Sequence, residues 1–481
     1  MADLRFVRRE SDKGYYGRQL WLPKSLINTR SIKRGLEFPV MDADGIKYIQ
    51  LWSENDTHLI VPREYVPARQ YNNLPFPIID VGPEQYPRVE FRSRVVLDKQ
   101  EPDKHLQRDA FAAMRASRGG LLNLACGRGK TNIALHHIAC RKMPALVVVN
   151  NTTLIDQWQE RIAEFLDVPG GVGVAQGPPA EWDWQGRGIV VGMINSLALR
   201  ADELPLGFDR YFAGVYFDEA HHLSAPLFVK TAPMFFGERH GLTATTTRED
   251  GLETIYQYHI GQIYYRDLMQ ELKPAIFFQM CPVQINMKDR AVLHEVTDKG
   301  GKLSIPKLRT YLGRLPEGND FIAEKLRKPL AAGRKILALS HSVEQLRLLH
   351  GMFGDSGLCT GKERPAARIE TLRNKQISFG TLQLVREALD EASLDTLFFL
   401  TPFGRADIDD GGANTLQQGM GRILRFRKDK KQPIVVIIDH IFIPKFHKMC
   451  TTLKRRLAQW PKDQGGPLEF TIIRSYQEDN K

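Results

Sequence analysis

The chain has 481 residues, 42% of them hydrophobic and 26% charged, which suits two or three globular domains, and its formal charge of +11 indicates a polyanionic partner. No apolar run approaches the roughly 20 residues of a membrane-spanning helix, and the charged N-terminus lacks an apolar signal core, so neither a membrane partner nor secretion is expected. Five cysteines lie far apart without a CxxC pair, which argues against a disulfide framework or a zinc site and predicts a reducing, cytoplasmic location.

Residues 1–98 predict a small N-terminal domain rich in β-structure. Short apolar runs are separated by turn signals, and the proline-rich stretch 67–87 predicts a linker or irregular packing. Residues 1–40 contain nine lysines or arginines against four acids, a balance suited to contacting a phosphate backbone. Three aromatic residues lie among them and could stack on exposed bases or fill the core of the domain, with the core favoured for the last: Tyr15, Tyr16 and Trp21.

From about residue 100 the chain alternates apolar runs of strand length with helical patterns. This alternation is typical of βαβ units whose parallel strands are buried on both faces. The apolar runs lie at 146–149, 189–191, 214–217, 335–340, 397–400 and 434–438. The sequence therefore predicts two α/β lobes divided between residues 265 and 330. We place them at 99–275 and 276–460, followed by a polar, frayed tail at 461–481.

Residues 121–131 (LLNLACGRGKT) place an apolar strand directly before a glycine-rich turn and a helical pattern. In this order, backbone N–H groups and the helix N-terminus can wrap phosphates. The residues of the turn are Cys126, Gly127, Arg128 and Gly129. Lys130 would reach the β- and γ-phosphates of ATP, and Thr131 would bind Mg²⁺. The pattern GxxxxGK[ST] has glycine where this chain has Leu124, so the loop alone predicts nucleotide binding, with a chance surface turn as the alternative.

Two adjacent carboxylates follow the apolar run at 214–217. Asp218 would hold Mg²⁺, directly or through water, and Glu219 would orient and deprotonate the attacking water. Both can approach the phosphate site because the chain turns at the carboxyl end of a strand. A solvent-exposed acidic turn is the alternative for this stretch in isolation. Its position in the chain after the phosphate loop favours the functional interpretation.

Residues 124–131 (LACGRGKT) and 218–221 (DEAH) resemble motifs I and II of superfamily 2 helicases of the DEAH-box type. That superfamily commonly lacks the first glycine of the phosphate loop, which accounts for the departure from the strict pattern. Residues 146–158 (LVVVNNTTLIDQW) resemble motif Ia, which lies along a nucleic-acid backbone in such enzymes.

Residues 241–245 (GLTAT) resemble motif III of the same superfamily. The resemblance implies that Thr243 and Thr245 hydrogen-bond near His221 and couple hydrolysis to contact with the nucleic-acid strand. Gln107, in a helical pattern upstream of the phosphate loop, could recognise adenine or be a surface residue.

The second lobe carries a match to motif VI, QxxGRxxR, at residues 417–425 (QQGMGRILR), through Gln418, Gly421, Arg422 and Arg425. The two arginines lie about one helical turn apart on one face, so they could reach the γ-phosphate of ATP held by the first lobe, as arginine fingers. A basic solvated helix face is the alternative, but glycine is costly inside a helix and favours a functional reason. Motif V is suggested by 380–381 and 387–390, with Leu389 where these helicases carry glycine and Asp390 as the coupling candidate.

Residues 245–251 (TTTREDG) contain an Arg-Glu-Asp element that also follows motif III in XPB-type proteins, although the proline usual near position 246 is absent. Together with 259–265 and 272–274, this element makes the XPB-like and UvsW-like branch the best match, over residues 100–445. The resemblance implies two tandem RecA-like phosphate-loop lobes with parallel sheets, and use of ATP and Mg²⁺. The basic N-terminal region, which lies outside the resemblance, fits a DNA-binding accessory domain.

The predicted function is that of an ATP-dependent DNA helicase or translocase acting on duplex, forked or branched DNA in repair, recombination or replication. One alternative is an RNA helicase of the same superfamily, against which stand the DEAH form of motif II and the absence of an RNA-binding module from the sequence. The other is the motor portion of a restriction or defence complex. No nuclease pattern such as PD-(D/E)xK stands out, so that motor would need a separate partner.

Overall fold

The computed structural model describes residues 10–42, 45–99, 105–125, 127–225, 227–244, 252–268, 274–361, 363–382, 384, 393–402, 430–458 and 470–473. The chain forms two compact units, residues 1–124 with 129–267 and residues 125–128 with 268–481. The finer boundaries expected at residues 98, 275 and 460 stay predictions. Within the described ranges, no helix is long and apolar enough to cross a membrane.

The N-terminal part of the first unit is a five-stranded mixed sheet with a separate hairpin. Strands β1 to β7 span Gly14–Tyr16, Leu20–Pro23, Glu37–Asp42, Gly45–Gln50, Ser53–Glu54, His58–Val61 and Ile78–Asp80, and helix α1 spans Thr29–Gly35. The sheet order is β5-β6-β2-β1-β7, with β1 and β7 parallel and the other neighbours antiparallel, while β3 and β4 form the hairpin. The stretch 67–87, predicted as linker or irregular packing, therefore supplies an edge strand, where flanking prolines do not interrupt the ladder.

The N-terminal aromatic residues pack inside this unit. Tyr15 is 1% exposed, and Tyr16 donates its hydroxyl to Glu64 Oε1 at 3.0 Å with the guanidinium of Arg63 over its ring. The ring of Trp21 lies 6.0 Å from that of His58, centroid to centroid. Base stacking is therefore wrong for Tyr15, whose side chain fills the core of the domain, while Tyr16 is partly buried.

Buried arginines join the N-terminal sheet to the rest of the first unit. Arg63 is almost fully buried, and its Nη1 donates to the carbonyl oxygens of Phe236 and Gly237, both at 2.9 Å. Arg239, also buried, donates from Nη2 to the carbonyl oxygen of Arg18 at 2.5 Å. A shared apolar cluster spans both parts and includes Leu20, Leu59, Val61, Leu252 and Ile255. Burying charged groups is unfavourable unless they are hydrogen-bonded, so these contacts fix the N-terminal sheet firmly to the lobe.

The remainder of the first unit is built on a seven-stranded parallel sheet. Strands β8 to β16 span Arg92–Ser93, Gly120–Leu124, Ala145–Val149, Leu166–Asp167, Val172–Ala175, Ile189–Met193, Gly214–Asp218, Glu238–Thr243 and Ile263–Asp267. Helices α2 to α7 span Leu106–Ala116, Lys130–Arg141, Thr152–Phe165, Ile194–Leu199, Phe208–Tyr211 and Glu253–Ile260. The order of the large sheet is β12-β13-β10-β14-β15-β9-β16, and β8 pairs with β11 separately. Strand β10 (ALVVV) is buried along its length, as an apolar β-branched run in the middle of a parallel sheet should be.

The second unit contains another seven-stranded parallel sheet. Strands β17 to β23 span Ala275–Cys281, Ile336–Ser340, Ser356–Cys359, Ile377–Thr381, Thr396–Phe399, Ile434–His440 and Phe470–Ile473, in the order β19-β20-β18-β21-β22-β17-β23. The described helices α8 to α13 span Arg290–Val296, Ile305–Arg314, Pro316–Ala331, Val343–Gly351, Pro365–Asn374 and Pro444–Ala458. The predicted class, two α/β lobes with parallel sheets and a β-rich N-terminal region, is confirmed.

One expectation for the second unit is corrected. The tail at 461–481 was expected to be polar and frayed, but Phe470–Ile473 forms β23 and pairs in parallel with β17. Four successive β-prone residues can complete the edge of a sheet even when the residues around them are polar.

Candidate nucleotide and magnesium site

Three neighbouring strands bring the predicted site residues to one edge of the first parallel sheet. Strands β14, β15 and β9 lie side by side and run in the same direction, so their carboxyl ends meet at that edge. Asp218 ends β14, Thr243 ends β15 and Leu124 ends β9. Lys130 begins α3, the helix that follows β9.

Leu124 stands where the strict phosphate-loop pattern has its first glycine. It is the last residue of β9 and is fully buried, so its backbone is extended and its side chain packs into the core. An extended residue needs no glycine. The side chain of Lys130 reaches back to the end of β9, where its Nζ donates to the carbonyl oxygen of Leu124 at 3.1 Å. The missing glycine therefore leaves the local path of the loop intact.

The loop between β9 and α3 uses left-handed backbone at its glycines. Gly127 has a φ of 81° and Gly129 a φ of 84°, values that favour glycine. The N–H of Arg128 donates to the carbonyl oxygen of Ala125 at 3.3 Å, which closes a turn. Thr131 is the second residue of α3 and is partly buried. The N-terminus of α3 thus follows the turn directly, as an anion site requires.

Gln107 lies beside the phosphate loop. A Cβ at Gly129 would collide with the side-chain amide of Gln107, which places that amide against the loop. Its Oε1 accepts from the N–H of Asp98 at 2.9 Å. Asp98 in turn accepts from the N–H of Gln107 at 2.7 Å and from that of Arg108 at 3.1 Å, so its carboxylate caps α2. Recognition of adenine by Gln107 stays a prediction.

Two donors hold the carboxylate of Asp218. The indole Nε1 of Trp158 donates to Oδ2 at 2.8 Å, and the N–H of Glu219 donates to Oδ1 at 3.1 Å. Burial, and then the negative charge of Glu219, raise the pKa of Asp218, while the Trp158 hydrogen bond and the charge of Lys130 act to lower it.

Glu219 adopts a left-handed backbone with a φ of 48°, unusual for a residue other than glycine. Side chains along β14 point alternately to the two faces of the sheet, and this turn interrupts that alternation. The carboxylates of Asp218 and Glu219 can therefore both lie at one edge of the sheet. Strained backbone of this kind persists where the surrounding structure fixes it, often at functional sites.

His221 connects the acidic pair to the end of β15. Its Nδ1 lies 3.5 Å from Oε2 of Glu219 and 3.3 Å from Oγ1 of Thr243, and the side chain is fully buried. The contact between His221 and Thr243 is the one that the resemblance implied. Its coupling role stays a prediction.

The donor set suits a magnesium ion that is shared with a nucleotide. Mg²⁺ is usually held by one or two carboxylates together with substrate phosphates and water, without a complete protein cage. Asp218 and the hydroxyl of Thr131 are ligands of the right type at the same sheet edge. Among the described residues, no group of three or more histidine, cysteine or acidic side chains could hold a metal by itself.

Several residues around this site were not predicted from the sequence. Asn123 donates from Nδ2 to the carbonyl oxygen of Thr243 at 3.2 Å, and its Oδ1 accepts from Nε of Arg266 at 2.9 Å. A lone amide inside the apolar run LLNL was a usable signal for Asn123. Nothing in the local sequence marked Asp98 or the indole of Trp158, because their partners are set by the tertiary fold.

Six predicted site residues lie outside the described ranges, and their roles stay predictions: Cys126, Thr245, Asp390, Gln418, Arg422 and Arg425.

Comparison with known proteins gives relatives for most of the chain. Residues 97–248 match the family described as Type III restriction enzyme, res subunit. A protein of Acanthamoeba polyphaga mimivirus named as an ATP-dependent RNA helicase is 28% identical over 82% of this chain and 74% of its own length. The DNA 3'-5' translocase XPB2 of Sulfurisphaera tokodaii is 33% identical over 42% of this chain and 40% of its own length.

A further relative is the helicase/translocase subunit XPB of general transcription and DNA repair factor IIH from Encephalitozoon cuniculi, 28% identical over 75% of this chain and 54% of its own length. The chain thus spans about half the length or less of these two XPB-named relatives. Among solved structures, S. cerevisiae Dbp5 bound to RNA and ADP BeF3 aligns with a TM-score of 0.50 at 12% identity, covering 76% of this chain and 89% of that one. This likeness concerns the RecA-like fold alone.

Proposed function

We propose that this chain, which is an ATP-dependent helicase of superfamily 2 and resembles its XPB-like branch, uses ATP hydrolysis to move along or remodel duplex, forked or branched DNA. The observation that carries the proposal is the position of His221, within 3.5 Å of Glu219 and 3.3 Å of Thr243. This histidine links the carboxylate suited to hydrolysis with the strand end suited to sensing nucleic acid. An enzyme that only hydrolysed nucleotide would not need that link.

In this proposal the phosphate loop holds the triphosphate of ATP. The N–H groups of residues 127–129 and of the α3 N-terminus would hold the β- and γ-phosphates, together with the ammonium of Lys130. The left-handed glycines and the return of Lys130 to Leu124 support this role. Gln107 reads the adenine edge through its amide, since it lies against Gly129.

Hydrolysis in this proposal depends on two carboxylates with different roles. Asp218, with Thr131, holds magnesium, which when bound neutralises phosphate charge. Glu219 accepts a proton from the attacking water and orients that water towards the γ-phosphate. The contacts support these separate roles. Two hydrogen-bond donors fix the carboxylate of Asp218, whereas Glu219 has the left-handed backbone of the turn and its carboxylate lies 3.5 Å from His221.

The remaining parts of the mechanism follow from the resemblance. Gln418, Arg422 and Arg425 would supply the arginine-finger half of the reaction, and Asp390 with Thr245 would help couple it to strand contact. Alternating grip of the two lobes on a phosphodiester backbone would turn each hydrolysis cycle into a step.

The N-terminal sheet is proposed as a DNA-binding accessory domain. Arg30 and Arg34 on α1 are exposed, and basic side chains of this kind contact phosphates without reading sequence. Lys13 and Lys24 pair with Glu10 and Glu54 instead. The firm attachment of this sheet to the first lobe supports a contact that moves together with that lobe.

DNA is preferred over RNA because two relatives are named as DNA translocase or DNA repair helicase, and the acidic motif is DEAH. An RNA helicase is the second candidate, favoured by the name of the mimivirus relative. A repair or recombination role, a cytoplasmic location and a motor role in a restriction complex remain hypotheses at the level of the resemblance.

The test is steady-state ATPase of the full chain without nucleic acid and with single-stranded DNA, duplex DNA, a four-way junction and RNA. We expect strong stimulation by duplex or branched DNA and little by RNA. Lys130→Ala is the control for contaminating ATPase and should be inactive throughout. Equal rates with all three DNAs would contradict remodelling of junctions, and stimulation by RNA alone would favour the second candidate. Displacement of a third strand from a DNA triplex would then measure translocation directly.

A further inference from the structure

Trp158 makes a polar contact with the acidic pair although it belongs to another element. It lies on α4, in the stretch that resembles motif Ia, and its indole Nε1 donates to Oδ2 of Asp218 at 2.8 Å. The side chain is 3% exposed. A tryptophan can fill a core without a partner for its N–H only at a cost, so the direction of this N–H is a specific feature of the fold.

Local sequence explains why Trp158 is buried, but not what it touches. Helix α4 begins after Asn151, whose side chain accepts from the N–H of Leu154 at 2.9 Å. Its buried face recurs every three or four residues and consists of Leu154, Ile155, Trp158 and Ile162. Apolar packing would be satisfied by phenylalanine or leucine at position 158. The indole N–H adds a bond to a residue sixty positions away in the chain.

We propose that Trp158 is a positioning residue: its indole N–H holds the Asp218 carboxylate in the orientation that binds magnesium with nucleotide, and so ties α4 to the metal site. The inference rests on the proposed role of Asp218 as a magnesium ligand. A movement of α4 on contact with nucleic acid would then change the orientation of the Asp218 carboxylate through this one hydrogen bond.

The geometry gives this bond a definite effect. The N–H of Glu219 fixes one carboxylate oxygen of Asp218 and Trp158 fixes the other, so the plane of the carboxylate has a single setting. Each oxygen keeps a further lone pair, because a carboxylate oxygen accepts about two hydrogen bonds. Without the indole N–H, Oδ2 is left with a lone pair unmatched and the carboxylate is free to turn about its Cβ–Cγ bond.

The experiment compares two tryptophans of the first lobe. Trp158→Phe removes the N–H at the site. Trp182→Phe is the matched control, because Trp182 is also buried, at 6% exposure, and donates its Nε1 to a backbone carbonyl, that of Gly177, at 3.1 Å. The measurement is binding of a fluorescent ATP analogue to the full chain, without nucleic acid, as a function of Mg²⁺ concentration. We expect Trp158→Phe to raise the half-saturating Mg²⁺ concentration about tenfold, since a hydrogen bond to a charged group is worth that order. Trp182→Phe should change it less than about twofold.

A second replacement separates the N–H from the shape of the ring. Benzothienylalanine at position 158 has sulfur in place of the indole N–H and nearly the same volume, so packing is retained even if Trp158→Phe fails to fold. The same rise in half-saturating Mg²⁺ with this residue would support the proposal. Wild-type Mg²⁺ dependence with benzothienylalanine, or an equal rise in Trp182→Phe, would overturn it. Because nucleotide binding needs no nucleic acid, this result stands apart from the DNA-stimulated ATPase that tests the proposed function.

Discussion

Replacing Asp98 with alanine should weaken both the fold and the choice of nucleotide. The carboxylate of Asp98 accepts from the N–H of Gln107 at 2.7 Å and from that of Arg108 at 3.1 Å, nine and ten residues later in the chain, at the start of α2. His105, the residue before that helix, makes no side-chain cap of its own. Asp98 is therefore the side chain that satisfies this helix end, and it does so beside the phosphate loop.

The expected loss can be built from the contacts. A missing cap costs about 1–2 kcal/mol. Asp98 also has a left-handed φ of 56°, and alanine in that region costs about 1 kcal/mol more. The ion pair with Arg108 adds little, because that side chain is 51% exposed and its charge is screened. We expect Asp98→Ala to lower the free energy of unfolding by about 2–3 kcal/mol, and Asp98→Asn by roughly half as much, since asparagine tolerates left-handed backbone and keeps one acceptor.

The functional part of the prediction concerns Gln107. Once the start of α2 loosens, the amide should lose its fixed position against Gly129. The preference for ATP over GTP in kcat/KM should then fall roughly fivefold, the value of one neutral hydrogen bond of about 1 kcal/mol. Urea unfolding and ATPase with both nucleotides measure the two effects. Gln107→Ala should lose the preference with a smaller loss of stability, and Arg108→Ala should change neither. An Asp98→Ala variant as stable as wild type would refute the capping argument, and an unchanged preference in Gln107→Ala would refute base recognition.

Three further outcomes concern the proposed water-activating residue, the proposed arginine finger and a buried histidine of the first unit. Glu219→Gln should bind ATP normally but hydrolyse it 10²–10⁴ times more slowly, the usual contribution of a general base, and a smaller loss would assign the water to another residue. Arg422→Ala should also bind ATP yet turn over poorly, and near-normal stimulated ATPase would remove it as an arginine finger. Burial, and then the charges of Arg239 and Arg63, lower the pKa of His259 from 6.5 to about 3, so the folded chain keeps it neutral while the unfolded chain protonates it below pH 6.5. The free energy of unfolding should therefore fall between pH 7 and pH 5, by up to about 2 kcal/mol from this residue, and His259→Gln should lose that part of the slope. Equal slopes in wild type and variant, by urea unfolding at both pH values, would contradict the assignment.

Local sequence was enough to predict several of the buried parallel strands. Apolar runs at 146–149, 214–217 and 434–438 coincide with β10, β14 and β22 because a strand buried on both faces must be apolar along its whole length. The glycines and lysine of 127–130 were recognisable for a similar reason, since left-handed backbone and a helix N-terminus require particular residues at fixed spacing.

The sequence left open what depends on which strands become neighbours. Periodicity does not state strand order, so it did not show that β15 lies between β9 and β14 and that Thr243 thereby comes within reach of His221. The edge strand β23 was missed for the same reason.

The proposed ATP half-site in the first lobe also contains residues that the sequence predicted and residues that only the tertiary structure showed. Lys130, Asp218 and Glu219 were predicted from local pattern, because the proposed chemistry fixes residue type and spacing. Their supports, Trp158 for Asp218 and Asp98 for Gln107, were decided only by the tertiary structure. A supporting hydrogen bond can come from any element that the fold brings near, so no spacing in the sequence records it.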